Sequence, residues 1–166
     1  MARSLPKSQR LRANKPKARP KSAGDTLRKL NARVEPRIRS GFGSSGLFPA
    51  GLIVLETTGR RSGQTHRTPL AASVAPGGYL WISTMLGNRA NWLRNAHANS
   101  DVRYWLGGRA REGRALVSAP GYAPPDLNDL PPFARWGATR ALRISQALGL
   151  GVVIIVPKAA GSRPST

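Results

Sequence analysis

The 166-residue chain contains no cysteine, which removes disulfides, thiolate metal sites and cysteine nucleophiles together. Histidine is nearly missing: His66 and His97 are the only two, and Asp and Glu together number seven. So small a stock of ligating and titratable side chains predicts no metal centre, and it directs any hard chemistry toward a bound organic cofactor. Long apolar runs are wanting too. The longest, Leu148 to Val156, is too short to span a bilayer, and the first residues lack the apolar stretch of a signal peptide, so the expected location is the cytoplasm. Negative charge is scarce against twenty-seven Lys and Arg, leaving +20. The surroundings of such a chain are anionic: nucleic acid, anionic lipid, or a ligand bearing phosphate or carboxylate.

The charge is unevenly placed. Residues 1–22 hold eight basic residues, no acidic ones and three prolines, a composition that cannot bury enough apolar surface to offset its ordering entropy, and they are expected to form a disordered basic arm. Residues 159–166 are expected as a disordered tail. The nineteen basic and seven acidic residues that follow the arm leave +12 on the remainder, so the folded part attracts anions in its own right. Arginine supplies twenty-one of the cations, which suits bidentate anion recognition and equally suits a GC-rich coding bias.

Residues 23–40 are expected as a basic amphipathic helix. Leu27, Leu30, Val34 and Ile38 recur at three- and four-residue spacing among Arg28, Lys29, Arg33, Arg37 and Arg39, with Pro36 predicted to interrupt it. The same periodicity serves packing on the chain's own domain or contact with an anionic membrane, here the inner face of the cell membrane through residues 1–39. Ser40 to Ala50 reads as a glycine- and serine-rich loop. Strands are then predicted at Gly51–Thr58, Thr65–Val74, Tyr79–Thr84, Val102–Leu106, Arg109–Ser118 and Val152–Val156, each bounded by turn residues. On the third, Leu80 and Ile82 share one face and Tyr79 and Trp81 the other. Asn88 is expected to cap a short helix from Arg89 to Ala98, and Phe133 to Leu148 to form another, weakened by Gly137, after the proline-rich loop Pro120–Pro132. Six strands with a short helix after the third predict a mainly β, α+β fold: a small barrel that leaves no long sheet edge exposed.

Two segments carry candidate chemistry. The hairpin tip Thr57-Thr58-Gly59-Arg60-Arg61-Ser62-Gly63-Gln64 combines flexible glycines, guanidinium groups and hydroxyls able to converge on a phosphate or carboxylate; a merely solvated turn has the same composition. On the following short helix, Asn91 and Asn95 lie four apart with Trp92 beside them. An aromatic plane beside amide groups at a helix N-terminus can hold a flat heterocycle, whereas the plainer reading makes Trp92 a core aromatic and Asn95 a local helix-end partner. Glu56 is expected to pair with a neighbouring Arg. A reading from another class is a nucleic-acid-binding barrel in which Trp81, Trp92, Tyr104 and Trp105 stack bases, although the basic residues are spread over many segments.

The segment LETTGRRSGQTHRTPL, the Gly-Gly turn, the strand after it and GNRANWLRNAHANSDVRY together resemble the deazaflavin-dependent nitroreductase family, the coenzyme F420-dependent quinone and nitro reductases among the flavin and deazaflavin oxidoreductases. The likeness covers roughly residues 50–118. It implies a six-stranded split β-barrel over 41–158 that binds coenzyme F420, an 8-hydroxy-5-deazaflavin, with FMN as the alternative. It also implies hydride transfer to a quinone, nitro compound or similar electrophile by a monomer or homodimer. Carried over by residue, Arg60, Arg61 and Ser62 would bind the anionic tail; His66, Arg67, Thr68, Pro69 and Leu70 would line the ribityl and phosphate path. Ser83, Thr84, Met85 and Leu86 would face the ring, and Asn91, Trp92, Leu93, Arg94 and Asn95 would close over it. Asn91 and Trp92 are the candidates for a part in catalysis, and His66 or solvent for the proton. Met85, Leu86 and the lack of a tyrosine-rich stretch near the C-terminus depart from the family pattern, so the resemblance leaves the acceptor unnamed.

Overall fold

Runs of β-branched residues closed by glycine turns become six antiparallel strands in a computed structural model that describes residues 23–43 and 50–158. The expected arm 1–22, tail 159–166 and central part of the Ser40–Ala50 loop lie outside the described residues. The strands are β1 (Ala50–Thr58), β2 (Thr65–Val74), β3 (Leu80–Thr84), β4 (Asp101–Leu106), β5 (Arg109–Ser118) and β6 (Gly151–Pro157). They close into a barrel in the order β1-β2-β3-β6-β5-β4. Each matches its predicted run to within a residue, and closure pairs the edges that open sheets leave exposed.

Three apolar layers hold the barrel. Inward-facing Ile53, Leu55, Leu80, Ile82, Val102, Tyr104, Val117, Val153 and Ile155 form its interior. Outward-facing Leu116, Val152 and Ile154 pack with Ala138 and Leu142 of α3 (Pro132–Ala147). Both faces of β6 are therefore covered, which is why its sequence is continuously apolar rather than alternating. Tyr79 and Trp81 join that outer layer, opposite Leu80 and Ile82, as the alternation predicts.

The third layer seats α1 (Ala23–Arg39): Ile38, with Val34 beside it, packs on Val54 and Trp105 of the outer barrel wall. Of the two uses open to this amphipathic helix, its last two turns are spent on packing. Pro36 does not interrupt it, contrary to expectation. The helix runs through Pro36, whose ring and the residue a turn earlier, Ala32, are both exposed, so the carbonyl that loses its partner faces water and the break costs little. α3 runs unbroken through Gly137, which sits on the open face with nothing near the place of a Cβ.

A short 3-10 turn, Gly87–Arg89, precedes α2 (Asn91–Ala98). Asn88 does not cap this helix as expected. Ala90 occupies the cap position, and the Asn88 amide instead donates to the Pro120 carbonyl at 3.0 Å. That bond ties the turn to the loop after β5. From this position α2 lowers Ala90, Leu93 and Ala96 into the barrel end, where all three join the interior layer.

Candidate functional site

The β1–β2 hairpin and α2 meet at the same end of the barrel, and the site lies between them. β2 pairs with β3 only at Ser73↔Trp81 and Val74↔Leu80, whereas along β1 it pairs from Ala50↔Ser73 to Thr58↔Thr65. Among the described residues the first half of β2 thus has one edge without a strand, and the barrel splits there. A cleft of about 400 Å³ opens at this split, lined by Gly59, Arg60, Arg61, Ser62, His66, Arg67, Thr68, Asn91, Trp92 and Asn95.

A single buried amide sets its geometry. Asn95, 5% exposed, accepts from the Arg60 backbone N–H at 3.3 Å and from the Arg60 guanidinium Nη1 at 3.1 Å. The hairpin tip is thereby tied to the helix across thirty-five residues of sequence. Within the tip, Gly59 N–H donates to Gln64 O at 2.7 Å and Gly63 N–H to Gly59 O at 2.8 Å, a tight turn in which Gly63 takes φ +66°. With Arg60 so occupied, Arg61, His66 and Asn91 keep their polar side-chain atoms without a protein partner among the described residues, and all three border the cleft. Free donors at the N-terminal end of a helix favour an anion.

Gly59, absent from the sequence-based set, belongs to the site. A Cβ built on it would lie 2.7 Å from His66 Nε2 and 2.8 Å from Ser62 Oγ, so a larger residue here would push both side-chain ends away from the turn. The available signal was a glycine ahead of two arginines in a hairpin, but nothing local distinguishes it from an ordinary turn glycine.

Not every expected residue reaches the cleft. Arg67 borders it, yet its guanidinium turns to the α1 side, donating to Glu56 at 2.7 Å, with Glu35 at 3.9 Å and the Trp105 ring 5.5 Å away. The Glu56 hydrogen bond raises its pKa above the ordinary arginine value against the opposing pull of desolvation, with the charges of Glu56 and Glu35 adding to the rise. Glu56 thus has the arginine partner its sequence position suggested. Leu93 is wholly buried in the core, and the Arg94 guanidinium donates to the Asn88 carbonyl; both support the helix rather than face the cleft. Leu70 packs against the core, while Pro69 and Ser83 to Leu86 lie outside the cleft lining. Thr84 Oγ1 accepts from Leu86 N–H at 3.2 Å, holding the turn after β3, where Met85 and Leu86 are exposed. Trp92 packs on the core as its plainer reading has it, and it also borders the cleft.

The aromatics invoked for base stacking are differently placed. Tyr104 lies inside the barrel, Trp105 is covered by α1 beneath the Arg39 guanidinium at 4.6 Å, and Trp81 packs in the α3 layer. Trp92 is the one of the four that borders the cleft between the hairpin and α2.

The model of a family of F420H(2)-dependent quinone reductases matches residues 29–129, a span that takes in the hairpin, β2 and α2. No curated protein matches the chain. Among solved structures, it resembles an F420-H2 dependent reductase (FDR-A) at 20% identity and TM-score 0.40, over 65% of this chain and 94% of that one. It also resembles a putative pyridoxamine 5'-phosphate oxidase from Listeria innocua at 14% identity and TM-score 0.42, over 64% and 83% of the two chains. Both are likenesses of low identity.

Proposed function

The chain belongs to the F420H(2)-dependent quinone reductase family, and from that premise we propose that the cleft between the hairpin and α2 binds coenzyme F420 and passes its reducing equivalents to a quinone. The observation that carries this reading is the latch of Arg60 on Asn95, which leaves Arg61, Ser62, His66 and Asn91 bordering one cleft beside an aromatic face. This donor set fits the coenzyme. Arg61 and the Ser62 hydroxyl suit its anionic tail, the packed hydroxyl and imidazole over Gly59 suit a phosphate, and Trp92 suits a flat ring.

When bound in its reduced form, the deazaflavin supplies a hydride. The chain's own contribution is to orient and to exclude water: Asn95 holds the hairpin, Trp92 offers an apolar wall, and the Asn91 amide is free to donate to oxygen of an acceptor as negative charge develops there. Nitro compounds likewise carry oxygens on which negative charge develops as the hydride is accepted, and they are the second acceptor class. The cytoplasm is the proposed location, and the basic residues of 1–39 add attraction to its anionic membrane face.

Titration of the purified protein with oxidised F420 and, in parallel, with FMN, followed by tryptophan fluorescence, tests the cofactor. Micromolar or tighter quenching by the deazaflavin alone is expected; equal response to FMN overturns the assignment. Oxidation of the reduced coenzyme in the presence of menadione or a nitroaromatic then ranks the acceptors, with the quinone faster. An Asn91→Ala variant with unchanged turnover would remove that residue from the acceptor site.

A further inference from the structure

An amphipathic helix packed on a barrel normally turns its apolar side inward and a charged side to water. α3 does not. Ala138 and Leu142 face the barrel, yet Phe133, Trp136, Ile144 and Leu148 are exposed on the other side, the first two at 72% each. Their spacing of three, eight and four places them on one stripe from the first turn of the helix to its C-cap, Leu148, with Arg140 within the stripe between Trp136 and Ile144 and Arg143 at its edge. The Arg140 guanidinium stands 5.9 Å from the centre of the Trp136 ring. The sequence of α3 has no acidic residue. At its C-terminal end the stripe meets a second exposed apolar turn: a Cβ on Gly87 would lie 2.9 Å from the Gly149 carbonyl, so the turn bearing exposed Met85 and Leu86 abuts the one following Leu148.

Isolated surface apolar side chains need no explanation, but a row of exposed aromatic and aliphatic side chains along one helix face, with a cation set among them and another at the edge, does. We propose that the outer face of α3 docks on an anionic lipid bilayer, the helix lying in the interface plane with Phe133 and Trp136 at the acyl boundary. Charge selects this occupant over the alternative of a second copy. A copy related by a twofold axis would bring its own Arg140 and Arg143 against these within a chain of net charge +20, whereas anionic headgroups satisfy them. The long arginine stems can lie along the apolar stripe while their heads reach the phosphates, and an indole beside a guanidinium is suited to the same boundary. The face shares no residue with the contacts that seat the end of α1 or with the lining of the cleft, so the proposal stands independently of the redox reading.

The test uses the full chain with vesicles of phosphatidylglycerol in phosphatidylcholine, and of phosphatidylcholine alone, at raised ionic strength to screen the basic N-terminal residues. Co-sedimentation is expected with the anionic vesicles and a blue shift of tryptophan emission with it. The F133S/W136S variant, altered at exposed positions and checked for an unchanged circular dichroism spectrum, should bind at least about thirty-fold more weakly, from the lost apolar burial. In R140Q/R143Q, tested at low salt, affinity should fall about thirty-fold. The conservative W136F variant should still bind while losing the emission shift. Undiminished binding by F133S/W136S, or a shift that persists in W136F, overturns the proposal. So does a lipid-free dimer that F133S/W136S dissociates, since the stripe would then be a self-association surface.

Discussion

Asn95 shows how one side chain can organise the site it borders. Its carbonyl oxygen receives two N–H groups of Arg60, and hydrogen bonds to a charged donor contribute about 1.5 to 3 kcal/mol. Removing the acceptor should release the hairpin tip and leave the Arg60 guanidinium to compete for the same anion as Arg61. The expected result for Asn95→Ala is about a tenfold rise in the dissociation constant for the coenzyme with little change in turnover at saturation. Asn95→Asp, which keeps an acceptor oxygen in place, should restore tight binding. Unchanged affinity in the alanine variant would show that the latch is ornamental to binding. Tyr104 makes a contrasting case. Its ring fills the barrel interior, but its hydroxyl is buried without a hydrogen-bond partner among the described residues, and burial raises its pKa above the usual 10, partly offset by the charge of Arg111. A phenol that resists ionisation when folded contributes fully below the unfolded pKa, and that contribution is lost as pH rises through the higher folded value. Tyr104→Phe should therefore raise stability by about 1 kcal/mol at neutral pH and flatten the loss of stability above roughly pH 10. Chemical denaturation at pH 7 and pH 10.5 reads both effects, and a variant less stable than the parent at pH 7 would mean that the hydroxyl has a partner after all.

Among the elements, α1 meets the barrel, among its described side chains, through Ile38 and Val34. Ile38 is 1% exposed between Val54 and Trp105, and the ion pair of Glu35 with Arg39 at 3.3 Å is partly exposed, so the apolar contact carries most of the docking. Ile38→Ala should cost about 2 to 4 kcal/mol and lower the melting temperature by roughly 6 to 12 °C; a melting temperature unchanged within a degree would place α1 outside the cooperative unit. The strands themselves were legible because each is a short β-branched run stopped by turn residues such as Gly77-Gly78 and Gly107-Gly108, all four of which take positive φ. Local chemistry fixed those boundaries. The anion-binding composition of the hairpin was equally visible, since Arg60, Arg61 and Ser62 are neighbours in sequence. The contact between Asn95 and Arg60 was not, because it depends on how α2 sits on the barrel end and no periodicity encodes that. The same holds for Arg67, whose turn toward Glu56 and α1 follows from strand register, and for Asn88, drawn from its capping role by a carbonyl thirty-two residues away. Pro36 misled because the rule against helical proline weighs a lost hydrogen bond as if the freed carbonyl were buried.

For the molecule as a whole, the dominant property is a net charge of +20, and its consequence is kinetic and ionic rather than architectural. An anionic coenzyme approaching the cleft experiences both the general field and the particular donors at its mouth, and the two can be separated. The general field is screened over about 8 to 10 Å at 0.1 to 0.15 M salt, so the dissociation constant for F420 should rise at least about tenfold between 0.05 and 0.5 M salt, mainly through a slower association rate. A direct contact adds a local increment to this. Arg61, exposed at the cleft with its guanidinium unpaired among the described residues, is expected to make one, so Arg61→Gln should weaken binding and lessen the salt dependence together. Arg109, paired in register with Leu106 at the opposite end of the barrel, contributes the same unit of charge from a distance. Arg109→Gln should leave affinity near that of the parent at moderate salt. Stopped-flow association rates across a salt series for the three proteins decide the matter: equal losses in both variants would make the cleft a passive recipient of the field, whereas a loss confined to Arg61→Gln assigns recognition of the coenzyme's negative tail to the hairpin.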